Sequence, residues 1–144
     1  MIDLINKLIS KDNNSSPFYS VFQRLKKNTE VEKIFKSISE FSEKSEVRYV
    51  GGCIRKIINQ EEVDDIDLAT NIEPKIVSEI LRENKINFYE TGIEHGTITA
   101  RIKNQKFEIT SLRKDISTDG RHAKVEFSDN WYEDASRRDF TFNS

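Results

Sequence analysis

The sequence predicts an α+β domain with a helical N-terminal appendage, on three observations. Apolar Val31, Ile34, Phe35, Ile38 and Phe41 recur at three- and four-residue spacing, the period of an amphipathic helix. A short β-prone run, a glycine pair and a helix-compatible run follow one another across residues 47–59. Two further β-prone runs, 97–102 and 107–112, stand at hairpin spacing.

Taken in order, residues 1–45 read as helical, with a loop at 11–17 where Asn, Ser and Pro cluster. Val47-Arg48-Tyr49-Val50 reads as a strand, Gly51-Gly52 as a turn and 53–59 as a helix. Residues 66–69 suit a second strand, and Pro74 suits the first turn of a helix running to about 84, since a missing N–H costs nothing there. The hairpin strands are separated by Lys103-Asn104-Gln105-Lys106, which predicts an antiparallel pair beside the earlier strands. Residues 113–124, polar, aperiodic and containing Gly120, read as a mobile, solvated loop, and a short helix is expected over 132–137. No internal repeat or low-complexity tract interrupts this order.

Composition narrows the function classes. A chain of 144 residues, 35% hydrophobic and 33% charged, can fold as one domain with a sizeable core. A net charge of −2 argues against a uniformly basic nucleic-acid wrapper, so any RNA contact must be local. The lone Cys53 excludes an internal disulfide framework and a cysteine-based zinc site, and fits a reducing cytoplasm. The N-terminus shows no cationic stretch before a long apolar run, and no segment approaches the length of a membrane span; neither export nor insertion is expected.

The chemistry-bearing residues fall in three groups. In Asp65-Ile66-Asp67-Leu68 two carboxylates are two residues apart on a predicted strand, so both face one side. Carboxylates gathered at one spot suit a hard cation such as Mg²⁺, although for an isolated D-x-D an acidic solvent face is the plainer reading. Glu108 sits between core-facing Phe107 and Ile109, so it faces away from the core, toward the surface expected for the aspartates. Gly51-Gly52 before a helix allows a phosphate to approach the backbone, and Arg55 lies one turn on; a tight folding turn is the plainer alternative. Arg137-Arg138 suit polydentate phosphate binding, or else a surface ion cluster with Glu133 and Asp134. His95 and His122 are read as turn and loop residues, Cys53 as packing, and Trp131 as a helix-start anchor.

In order, VGGCIRK, DDIDLAT, TGIEHGTITA, FEITSLRKD, DGRHAKVEF and EDASRRDFTFNS resemble the head domain of class II tRNA nucleotidyltransferases and bacterial poly(A) polymerases, over residues 47–144. The resemblance implies a polymerase-β-like nucleotidyltransferase fold, a mixed sheet flanked by helices, occupying 46–144. It implies Asp65 and Asp67 as Mg²⁺ ligands, Glu108 as a third catalytic carboxylate, and Gly52, Arg55 and Arg138 as nucleotide contacts. The implied reaction adds CMP and AMP, from CTP and ATP, to the 3′ end of tRNA with release of pyrophosphate. Alternatives are a poly(A) polymerase, an A- or CC-adding relative, or a catalytically silent nucleotide- or RNA-binding head. The family places aspartate where this chain has Lys56, and its neck, body and tail would lie beyond Ser144, so the chain alone is expected to be inactive on tRNA.

Overall fold

The computed structural model describes residues 17–59, 61–118 and 123–138. The expected loop over 11–16 and helical character of 1–10, and His122 and Gly120, therefore lie outside the described residues; Pro17, expected to end that loop, instead begins a helix.

The described part of the N-terminal segment forms two helices, α1 (Pro17–Asn28) and α2 (Val31–Ser39). Helix α2 follows from its periodicity: Val31, Ile34 and Ile38 lie on one face and are fully buried. Each such aliphatic side chain contributes about 1.5–3 kcal/mol when removed from water. These residues and Leu25 of α1 belong to the same hydrophobic cluster as Leu68, Leu81, Ile98, Phe107 and Ile109, so no break in packing separates these helices from the sheet.

The sheet has five strands: β1 (Val47–Val50), β2 (Ile66–Thr70), β3 (Asn87–Gly92), β4 (Thr97–Ile102) and β5 (Gln105–Ser111), in spatial order β1-β2-β5-β4-β3. Only the central β2–β5 pair is parallel, so the sheet is mixed, as the family resemblance implies. Helices α3 (Gly52–Ile58) and α4 (Pro74–Glu83) connect the strands, and Pro74 occupies the start of α4 as expected. Along α4, Val77, Ile80 and Leu81 are buried at helical spacing against the sheet face that carries Ile98 and Ala100.

Three expectations need correction. Strand β3 has no counterpart in the sequence reading, because this edge strand offers little alternation and is interrupted by a register shift between Tyr89 and Gly92. The hairpin between β4 and β5 is tighter than the four-residue connection expected: Ile102 pairs with Gln105, and Lys103 takes φ 54° in the turn. Residues 113–124 are not simply a loop, since β6 (Arg113–Thr118) and β7 (Ala123–Phe127) form an antiparallel ribbon. Ile116 on this ribbon is 53% exposed, so its apolar side chain does not mark a core-facing position of a half-buried strand.

Buried Leu112 joins ribbon to sheet: its N–H donates to the Thr70 carbonyl (2.8 Å) and its carbonyl accepts from the Ser128 N–H (2.9 Å). Gly96, in the His95-Gly96-Thr97 turn, has φ 85°, and a Cβ there would stand 2.9 Å from the Phe127 ring. The Ile93–His95 turn thus allows Phe127 to close over it, while the His95 carbonyl accepts from Arg113 Nη1 (3.0 Å). Helix α5 (Trp131–Ser136) is capped by Asn130, whose side-chain oxygen accepts from the Tyr132 and Glu133 N–H groups.

Candidate functional site

One face of the sheet is covered by helices; the other presents the acidic residues. In the parallel β2–β5 pair Asp67 lies directly beside Glu108, and Glu108 in turn pairs with Thr99 on β4. Asp65 immediately precedes β2. Asp65, Asp67, Thr99, Lys106 and Glu108 line a cleft of about 370 Å³. The three carboxylates singled out in the sequence therefore share one cleft. The buried partners Ile66, Leu68, Phe107 and Ile109 point the other way, which fixes the direction of the acids by strand alternation.

Asp67 is half-buried, and its carboxyl is held above the ordinary aspartate value. Burial is the largest cause, followed by the charges of Glu108 and Asp65, with Arg138 acting in the opposite direction. The site is thus short of positive charge at Asp67 even with Arg138 nearby. Among the described residues no three His, Cys, Asp or Glu side chains form a ready-made cation cage. Mg²⁺ does not require one: it commonly takes one or two carboxylates and completes its shell with water and substrate phosphate oxygens.

The glycine turn abuts these acids. Gly51 adopts φ 71°, ψ −145°, a region open to glycine, and an added Cβ would lie 3.1 Å from Asp67 Oδ2. Gly52, the glycine expected to contact nucleotide, opens α3, and Arg55 Nη2 lies 3.6 Å from the position a Gly52 Cβ would take. Arg55 therefore folds back over the turn. Sequence reading weighted Gly52; the geometric demand falls on Gly51, and the signal was its place directly after the strand. Gly51→Ala is expected to cost about 1–3 kcal/mol of stability through forced backbone strain, read as a lowered Tm, and to displace the Asp67 carboxylate.

Behind Asp67 stands an arginine clamp. Asp134 is 3% exposed and accepts from Arg137 Nη2 (2.8 Å), Arg138 Nε (2.9 Å) and the Arg113 N–H (3.1 Å). Burial raises its carboxyl pKa, but the Arg113 N–H and the two guanidinium groups outweigh that and leave it below the ordinary value. Arg137 and Arg138 are thus not a loose surface cluster: both turn inward to Asp134, and Arg138 also acts on Asp67. Sequence reading noted Asp134 only as a helix-spaced neighbour; its burial had no local signal.

Lys56 pairs with Asp64 on the exposed segment before β2, and this contact raises the lysine pKa and lowers that of the aspartate. The lysine charge is thereby spent on Asp64. Cys53 is a packing residue, 1% exposed, with Sγ 3.0 Å from the Val50 carbonyl oxygen and its thiol pKa pushed up by burial. The Arg48 guanidinium stacks 4.0 Å from the Trp131 ring centroid, joining β1 to the start of α5.

The chain is similar in sequence and fold to known proteins. The chain is 46% identical over 112 residues to human CCA tRNA nucleotidyltransferase 1, mitochondrial, covering 76% of this chain and 26% of the relative. It is 37% identical over 101 residues to the CCA-adding enzyme of Listeria monocytogenes, covering 69% and 25%. Among solved structures, the Bacillus stearothermophilus CCA-adding enzyme in complex with CTP superposes with a TM-score of 0.66 at 27% identity, covering 79% of this chain and 26% of that one. A tRNA nucleotidyltransferase complexed with a primer tRNA and an incoming ATP analog gives 0.56 at 26% identity, covering 76% and 29%. By fold, then, this is a nucleotidyltransferase head. Residues 47–144 match the family described as Poly A polymerase head domain, and the chain belongs to that family. It spans about a quarter of the length of the curated relatives it matches.

Proposed function

We propose that this chain is the catalytic head of a CCA-adding tRNA nucleotidyltransferase, with residues 46–144 as the head proper. The observation that carries the reading is the lateral pairing of Asp67 with Glu108, with Asp65 in the same cleft and the Gly51 turn against Asp67. The names of the human and Listeria relatives support CCA addition over the poly(A)-, A- or CC-adding alternatives.

In this reading Asp65 and Asp67 hold Mg²⁺, which supplies charge neutralisation at the reacting phosphate and activation of the attacking oxygen. Glu108 completes the acidic surface beside the attacking group. Gly51 and Gly52 leave room for the triphosphate, and Arg55 and Arg138 offset its charge without proton transfer. The 3′-hydroxyl oxygen of the RNA loses its proton to solvent and forms a bond to the α-phosphorus of CTP or ATP as the bond to pyrophosphate breaks. A cytoplasmic site of action fits the single thiol and the absence, among the described residues, of a helix able to cross a membrane; the human relative is named mitochondrial.

The cleft residues address phosphate and metal, and none offers a donor–acceptor pattern aimed at a base edge. Titration of this chain with ATP, CTP, GTP and UTP in Mg²⁺ by calorimetry is therefore expected to show binding with less than about tenfold, or about 1.4 kcal/mol, discrimination. No Mg²⁺-dependent binding at all would overturn the catalytic reading and favour a silent head. A preference above about tenfold for CTP and ATP would place base selection in the head itself.

A further inference from the structure

The open sheet face continues beyond the acids. Register carries one row from Asp67 through Glu108 and Thr99 to Tyr89 on edge strand β3, and a second through Lys106, Arg101 and Asn87. At about 4.8 Å per strand, Tyr89 stands roughly 14 Å from Asp67 across the sheet. Tyr89 is 50% exposed, while the preceding Phe88 packs against the core, so the two side chains point to opposite faces.

Arg101 and Lys106 are direct cross-strand partners, both exposed, and neither makes an ion pair among the described residues. Like charges directly opposed across an antiparallel pair are destabilising, and this chain carries net negative charge, so the pair is not explained by bulk composition. Paired cations beside an exposed aromatic ring form the combination that holds a single nucleic-acid strand, with phosphates on the cations and a base on the ring.

We propose that Arg101, Lys106 and Tyr89 form a track for the single-stranded 3′ end of the acceptor RNA, leading it across β5 and β4 to the Asp67–Glu108 cleft. The track rests on the reading of that cleft as the transfer site. It assigns the RNA strand to the side of the acids toward β3, and the triphosphate to the side bounded by the Gly51 turn and Arg138. Charge complementarity and continuity with the cleft both favour RNA over a protein occupant.

The test is fluorescence anisotropy of a short 5′-labelled single-stranded oligoribonucleotide with this chain, over a series of salt concentrations. The double variant Arg101→Ala/Lys106→Ala is expected to lower the magnitude of the log–log salt slope by about 1.4, two contacts at about 0.7 each. Tyr89→Ala is expected to weaken binding roughly tenfold with little change of slope, and Tyr89→Phe to bind as the parent does. Thermal melts confirm that each variant is folded. An unchanged slope in the double variant, equal affinities of Tyr89→Ala and Tyr89→Phe, equal competition by blunt duplex RNA, or no salt-dependent binding by the parent would each overturn the track. Mg²⁺-dependent ATP binding by Asp67→Asn, measured in parallel, separates the two readings: its retention removes the catalytic assignment, while the track is judged on the RNA data.

Discussion

Replacing Asp67 with Asn is expected to abolish Mg²⁺-dependent triphosphate binding by this chain. In a protein carrying the full length of its relatives it is expected to lower nucleotidyl transfer roughly a thousandfold or more. Metal stabilisation of transition-state charge is worth several kcal/mol, and each ~1.4 kcal/mol is a factor of ten. Stability should move the other way. The folded-state pKa of Asp67 lies above its unfolded value, so ionising it costs the fold free energy as pH rises from the unfolded value through the folded one. Asparagine removes that cost, and at neutral pH without metal the variant should melt at or above the parent temperature. Mg²⁺ with ATP should raise the Tm of the parent and leave that of the variant where it was. Retained turnover in the purified variant, or a Tm increment from Mg²⁺ and ATP equal to the parent's, would remove Asp67 from the metal site.

Asp134→Ala is expected to be the most destabilising of the substitutions considered. It removes the acceptor shared by two inward-facing guanidinium groups and the Arg113 N–H at a position that is 3% exposed. Removing one partner from a buried charged group typically costs 3–5 kcal/mol; the arginine side chains keep 17% exposure and can rehydrate in part, which points to about 3 kcal/mol. Because the folded-state pKa of Asp134 is depressed, its contribution is complete above the unfolded value and is lost as pH falls through the folded one. Urea melts of parent and variant should therefore differ most near neutrality and converge in acid. A pH-independent difference would show that the clamp acts through packing rather than charge. Asp134→Asn keeps an acceptor for the Arg113 N–H and should fold, but with Arg138 loosened it should bind triphosphate more weakly.

The strands and helices that bury a face were legible, because burial imposes a period: Val31, Ile34 and Ile38 announce α2, and alternation announces β4 and β5. The ribbon of β6 and β7 and the edge strand β3 were not: Ile116 on the ribbon and Tyr89 on β3 are apolar or aromatic yet exposed, and both pairings carry a register shift that breaks alternation. In the site, the direction of Asp67 and Glu108 was readable from their buried neighbours. Their meeting was implied only by the family resemblance; residue spacing could not show β5 inserting between β2 and β4 in the sheet. Nor could residue spacing show that Gly51 carries the steric demand, or that Asp134 is buried beneath both arginines.

That insertion of β5 also governs when the cleft comes into being. Its pairing with β4 closes a two-residue turn, an event of about 1–10 μs for an isolated hairpin. Its pairing with β2 joins residues about 40 positions apart in parallel, and no local zippering can make it, so the entropy of closing a long loop must be met first. Asp67 and Glu108 are strangers until that closure. The mutual repulsion that readies the site for a cation is therefore absent from the unfolded chain and from the hairpin alone, and is imposed by the step that completes the central sheet.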